Sequence, residues 1–338
     1  MKKILFASLI TAIAGPSFAQ IDKILADPDV VWVAETEFVL RPDATPEPGG
    51  GRGFSPVMFL KNMAAHPEQL YSDPLTLGGI LLEQAQRPGQ AVFDDSDLKN
   101  RLTPEQLQAR LYYLDTVTTF DPLTFQDPVP IIRRFLTPDD CGRVHVRQRL
   151  YYREKTAEFG LQTLALGLAK NDGKVLFWMP VPAPTAPVPT LSDPAVVWAR
   201  RIGVQNVVVE LGDMTPLKQP ASPFLQVFLD RVRKDAGVEI FSGKNWSQPV
   251  VGDDRENMYQ VVDTIVTFDP ETYEEFVRIS RVEMNADYLR LGIVQDWYWD
   301  DRRKQLIIRP VTVCPLMHQL DGDGNYLYSR PLFYRKMK

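Results

Sequence analysis

The residues that could do chemistry are few and scattered. The three histidines, His66, His145 and His318, lie far apart, and no two are helix neighbours. A zinc hydrolase needs two imidazoles one helical turn apart so that both reach one ion, and the H-E-x-x-H spacing is absent. No G-x-S-x-G nucleophile elbow occurs. Asp321, Asp323 and Asn325 imitate the start of a calcium loop, but such a loop needs Gly at its sixth position and Glu at its twelfth. Those positions hold Tyr326 and Leu332, so the segment reads as a Gly-rich turn. The acidic pairs Asp94-Asp95, Asp139-Asp140, Asp253-Asp254 and Glu274-Glu275 offer carboxylates in adjacent positions. General acid-base work needs two carboxylates facing across a cleft, whereas neighbouring acids in turns and helix starts are solvated charges. The sequence therefore assigns no catalytic, cofactor-binding or metal-ligating residue. Cys141 and Cys314 read best as two buried reduced thiols, the alternative being a bridge that staples two halves of the chain.

The elements that would carry any site are helices followed by strands. Thr103, Pro104 and Gln106 form a capping box, and Leu107, Leu111 and Leu114 extend that helix. Ser222-Pro223 starts a second helix whose Phe224, Val227, Phe228 and Val232 share a face, with Gly237 near its end. Asp269-Pro270 is expected to begin a third, carrying Tyr273, Phe276 and Val277. From Leu289 the period becomes two: Leu289, Leu291, Ile293, Gln295, Trp297 and Trp299 alternate with Arg290, Gly292, Val294, Asp296, Tyr298 and Asp300. Asp300 to Lys304 is a turn, Gln305 to Leu316 a second strand, Asp321 to Asn325 a turn, and Tyr326 to Tyr334 a third strand. Val144, Val146, Gln148, Leu150 and Tyr152 repeat this inner face earlier in the chain, with Gln148 in register with Gln295. Tyr151, Tyr298, Tyr326 and Tyr328 either face outward or fill the second face under helices.

That register is one sign of an internal repeat. DPDVVW from Asp27 returns as DPAVVW from Asp193, with five of six residues identical. TVTTFDPLTF from Thr116 returns as TIVTFDPETY from Thr264, with six of ten identical. Ser55-Pro56 and Ser222-Pro223 form another match, and Leu176-Phe177-Trp178 answers Leu332-Phe333-Tyr334. The reading is two related units, 20–181 and 191–338, joined by the Pro-rich linker 182–190, whose prolines favour an extended spacer. PEPGGGRG from Pro46 lacks the Lys-Ser/Thr of a phosphate-binding loop and reads as a flexible loop. Each unit is expected to be helices packed on an antiparallel three-stranded meander, an α+β class.

The 338 residues are 44% hydrophobic and 24% charged, an ordinary globular mix. The net charge of −5 and pI near 5.4 argue against nucleic acid, which needs clustered cations. The first nineteen residues read as a signal peptide: Lys2 and Lys3, an apolar Ile4–Ala14, Pro16, and Ser17-Phe18-Ala19 before a cut between Ala19 and Gln20. No later stretch is apolar for about 20 residues, so direct membrane insertion is not expected. The expected location is the periplasm, with attachment to the outer membrane through a partner.

WYWDDRRKQLIIRPVTVCPL from Trp297 resembles the signature strand pair of the GldN/PorN family of gliding-motility proteins. Trp297, Tyr298 and Asp300 match its aromatic W-Y-x-D stretch, and Cys314-Pro315 and Leu332-Phe333 its later strands. VEIFSGKNWSQPV from Val238 resembles its short helix-to-strand segment. Pro310-Val311 departs from the family's Ile-Gly pair. The resemblance covers most of the second unit, and the first unit reads as a divergent copy. It implies a non-enzymatic periplasmic component of the type IX secretion machine that builds a ring under the outer membrane with a lipoprotein, GldK or PorK. Two rival readings remain. One is a hydrolase or carbohydrate-binding protein with a cleft between the units and Trp246, Trp297 or Trp299 as platforms. The other is an adaptor that offers a strand edge to secreted clients.

Overall fold

The computed structural model of the chain describes residues 23–43, 57–63, 75–116, 131–182, 189–203, 208–209, 215–243, 245–268, 271–283, 289–320 and 326–337. Strands dominate. The first half runs β1 (Val30–Leu40), β2 (Val57–Asn62), α1 (Leu77–Ala85), α2 (Pro104–Arg110), β3 (Tyr112–Thr116), β4 (Ile131–Phe135), β5 (Arg143–Arg153), β6 (Glu158–Ala169) and β7 (Val175–Pro180). The second runs β8 (Val196–Ile202), β9 (Val208–Val209), β10 (Thr215–Lys218), α3 (Phe224–Lys234), α4 (Asp253–Asn257), β11 (Gln260–Phe268), β12 (Glu275–Glu283), β13 (Leu289–Asp300), β14 (Gln305–Leu320), β15 (Tyr326–Pro331) and β16 (Arg335–Lys336).

Two antiparallel sheets hold the core. One has the order β10-β1-β5-β6-β7; the other has β15-β14-β13-β8-β2, with β16 also on β14 and β9 also on β13. Two hairpins stand apart, β3-β4 and β11-β12. The expected three-stranded meander is thus too small for either sheet. The reason is an exchange across the halves. β2, from the first half, closes the edge of β8, and β10, from the second, closes the edge of β1. Each sheet gains backbone hydrogen bonds at an edge that would otherwise face water.

Local chemistry explains the helices. Thr103 and Gln106 exchange the two capping-box bonds, and Pro104 fills the first turn. The helix then stops at Arg110, and Leu114, expected to extend it, stands in β3. Thr76 caps α1 by accepting from the Gly79 amide at 3.1 Å, and Asp43 accepts from the Leu77 amide at 2.7 Å. A carboxylate there also meets the positive end of the helix dipole. In α3, Phe224, Phe228 and Val232 recur at helical spacing and are buried, together with Leu225 and Leu229. Two further expectations fail. The residues after Asp269-Pro270 form the turn and second strand of the β11-β12 hairpin rather than a helix. Ser55-Pro56 leads into strand β2 whereas Ser222-Pro223 leads into helix α3, so that sequence match joins unlike elements.

One hydrophobic core runs through both halves, joining Trp32, Leu150, Tyr152 and Phe177 to Trp198, Phe228, Trp297 and Phe333. Helix α3 of the second half lies on strands of the first. Phe224 stacks on Trp32 at 4.0 Å, and Phe228 meets Phe159 edge-on at 4.8 Å. Offset and edge-to-face ring pairs add roughly 0.5–1.5 kcal/mol each beyond area burial.

Candidate functional site

Polar groups converge at the seam between the halves. Gln148 and Gln295 are both fully buried and exchange amide bonds, Nε2 of Gln148 to Oε1 of Gln295 at 2.9 Å and the reverse at 2.8 Å. Thr163 accepts from Gln148 at 3.0 Å, and Trp297 Nε1 donates to Gln295 at 3.0 Å. The register read from the sequence thus becomes a contact. An ion pair flanks each glutamine. On β1 and β5, Glu35 accepts from Arg149 Nε at 2.9 Å and from Arg147 at 2.7 Å. On β8 and β13 the signs are exchanged: Asp296 is held by Arg201 at 2.6 and 2.8 Å, with Arg309 at 3.0 Å and the Tyr298 hydroxyl at 3.2 Å. Burial alone would raise the Asp296 pKa, but the two guanidiniums outweigh it and hold the carboxyl below its ordinary value.

A second junction is built on Asp43. Besides the start of α1, its carboxylate takes Trp198 Nε1 at 2.9 Å and Arg200 at 3.0 Å, both from β8. Arg200 is buried, lies over the Phe59 ring at 4.0 Å, and donates to the Lys61 carbonyl at 2.8 Å. A third supports α3. Arg255 is buried and donates to the carbonyls of Val232, Asp235 and Val238 within 2.9 Å, placing a cation at the end of that helix.

These arrangements leave the rival cleft little to work with. Trp297 and Trp299 are buried, and Trp246 donates to Thr312 at 3.1 Å with Lys336 over its ring. Asp94 pairs with Arg110, Asp95 accepts the Lys99 and Asn100 amides, and Asp140 is held by Arg134 and Thr137. The hydrogen bond and charge of Arg134 push the Asp140 carboxyl far down, with burial opposing. Asp253 and Asp254 open α4, and Glu274 and Glu275 are exposed. His145 stands 3.6 Å from Glu37 and meets Trp178 edge-on; the His66 site and the His318 side chain lie outside the described residues. Both cysteines are free and buried, and burial pushes the Cys141 thiol up to about 12 and the Cys314 thiol higher still. Among the described residues no cluster of three or more His, Cys, Asp or Glu could hold a metal. The turn Asp321–Asn325 and the signal segment lie outside them. No described helix is long and apolar enough to cross a membrane.

Exposed apolar groups gather elsewhere than the sequence suggested. Of the four tyrosines considered for an interface, Tyr298 is buried on Asp296 and Tyr151 lies under Arg153; the side chains of Tyr326 and Tyr328 lie outside the described residues. The β11-β12 hairpin instead exposes Tyr273 at 80%, Phe268 at 64%, Val277 at 55% and Phe276 at 54%. Its strands pair along their whole length, from Gln260 opposite Glu283 to Phe268 opposite Glu275, and with no other described strand. Tyr273 sits at φ +58° in the turn. The repeated T-F-D-P-x-T-aromatic segment was the available signal, since Asp-Pro between two β-branched runs marks a turn.

The stretch 192–338 matches a family model described as "Gliding motility associated protein GldN". That span takes in β8 through β16, α3 and α4, with the exposed hairpin inside it. No curated protein and no solved structure matches the chain.

Proposed function

We propose that the protein is a non-enzymatic structural subunit of the gliding-motility and type IX secretion machinery. It is exported to the periplasm and held beneath the outer membrane by a lipoprotein of the GldK/PorK type, with self-association into a ring or other oligomer. The observation that carries this reading is the GldN domain over 192–338. The chemistry of the described residues agrees with it. Glu35 and Asp296 are paired with guanidiniums at the seam, while five exposed apolar side chains, Val266, Phe268, Tyr273, Phe276 and Val277, gather on one hairpin, as interfaces between proteins require.

In this reading the first half, 20–181, is a divergent copy of the second, 191–338. Several features support the duplication. Helix, turn, helix, hairpin and long antiparallel strands follow in the same order in each half. The Phe93 amide and carbonyl pair with Trp178 as those of Phe241 pair with Tyr334. Ala157 and Lys304 both have positive φ at the 147-residue spacing of Gln148 and Gln295, and Leu98 and Trp246 repeat this within one residue of that spacing.

Deleting the gene in its own host tests the assignment. Type IX-dependent secretion or gliding is expected to fail and to return with a wild-type copy. Unimpaired secretion and gliding in the deletion strain would refute it.

A further inference from the structure

We propose that two copies of the chain pair through one face of the β11-β12 arm, laid antiparallel about a two-fold axis. This rests on the reading of the chain as an assembly subunit and names the surface through which copies meet. Residues directly opposite each other in an antiparallel pair share a face. Val266 opposite Val277 and Phe268 opposite Glu275 therefore form two successive rows of one face, and Thr267 opposite Phe276 belongs to the other. Val266, Phe268 and Val277 are all exposed, so the first face carries three apolar groups side by side in water. A two-stranded hairpin is marginal in water until such a face is packed, and a monomer rarely leaves a contiguous apolar patch uncovered.

The arm is complementary to itself. Its tip, 266–277, holds four acids, Asp269, Glu271, Glu274 and Glu275, and no cation. Its two arginines, Arg278 and Arg281, sit on the base half of β12, at the register positions of Ile265 and Val262. With Asp263 and Glu283 they leave the base neutral, so charge is graded along the arm. Two arms laid parallel would set acid on acid. The antiparallel arrangement carries each acidic tip toward the partner's arginines instead. With the axis between the two exposed rows, Val266 of each copy meets Phe268 of the other, and Val277 lies across from Glu275. All four residues are exposed in the single chain, so this face is formed before partners meet. The contact is isologous: one surface serves both partners and closes at two, joining subunits in pairs within any larger assembly. One arm face is small against the roughly 1,200–2,000 Å² of a stable interface, so the pairing is weak alone and gains strength from the other contacts of an assembly.

The test uses full-length V277C chains of two tag masses, mixed and joined with a short bismaleimide. Cys141 and Cys314 are buried, so the added thiols report. A mixed-tag dimer is expected at about ten times the yield of K155C chains, the proximity effect of a specific contact. Lys155 is an exposed control on the β5-β6 turn. Adding F268S is expected to bring the yield down to that of the control, while F276S, on the other face, leaves it unchanged. E274K/E275K and R278E/R281E, each added to V277C and tested alone, are expected to lower the yield about threefold. Mixing these two charge variants is expected to restore the mixed-tag dimer, because the reversed tip then meets the reversed base and the native tip the native base. A V277C yield no higher than the control, a yield that survives F268S, or charge variants that do not rescue each other overturns the proposal. Linkage of V277C in cell envelopes to an outer-membrane lipoprotein in place of a second copy also overturns it, but leaves the assignment to the machinery standing.

Discussion

Gln148 and Gln295 illustrate what single residues do at the seam. A buried amide without a partner costs about 1–3 kcal/mol, while removing both partners is far cheaper. Q148L and Q295L are each expected to lower stability by about that amount, and Q148L/Q295L to cost clearly less than their sum. Chemical denaturation of the four proteins checks this; strict additivity would mean the pair is not coupled. Asp296 differs because it is charged. Its pKa is lowered on folding, so its contribution to stability is complete above the unfolded value of about 4 and is lost as pH falls through the folded value. D296N is expected to lower the unfolding free energy at neutral pH by about 1–3 kcal/mol, since the part-exposed Arg201 and Arg309 lose their charged partner, and the difference from wild type should shrink on acidification. A gap that widens below pH 4 would contradict this sign. Both positions were legible as residues in the sequence, Gln148 and Gln295 through register. Their partners were not, because an ion pair across strands depends on pairing that only the fold supplies. Glu35 with Arg149 and Arg201 with Asp296 keep a pair while exchanging its signs, which hides the correspondence from a comparison of residue types.

Elements were read well where local chemistry decides them. The capping box at Thr103 and the buried faces of β5 and β13 stand as expected. They were misread where Asp-Pro could start either a helix or a turn. Tyr273, Phe276 and Val277 have a spacing that suits a helix face, yet they sit on a two-stranded arm, because β-branched residues flank the turn on both sides. Helix α3 shows the opposite case, its aromatic face being fixed by sequence and its partner strands by topology. Its end depends on Arg255, which no periodicity marks. R255M orphans several carbonyls at once and is expected to cost near the upper end of about 1–3 kcal/mol, measured as a fall in the denaturation midpoint. An unchanged midpoint would show that water satisfies those carbonyls.

At the scale of the molecule the two halves are interleaved more deeply than a Pro-rich linker suggests. Each sheet contains a strand from the other half, and one core spans both. Neither half buries its aromatic residues alone, since Trp32 and Tyr152 need α3. The chain is therefore expected to unfold in one cooperative step, with calorimetric and van't Hoff enthalpies agreeing. Two resolved transitions would indicate independent domains. Strand exchange could not be read from the sequence, because β2 and β10 are short edge strands whose partners lie far along the chain. Among the described residues the interior holds paired charges and packed rings, and five exposed apolar side chains gather on the β11-β12 arm, an arrangement that suits the proposed role as a building block.

Cross-linking in intact cell envelopes, read by mass spectrometry, tests that role most directly. The account predicts links from residues 260–283 to a second copy of the chain, and links from the same protein to an outer-membrane lipoprotein of the secretion machinery. A chain recovered as an isolated monomer, linked to neither, would contradict it.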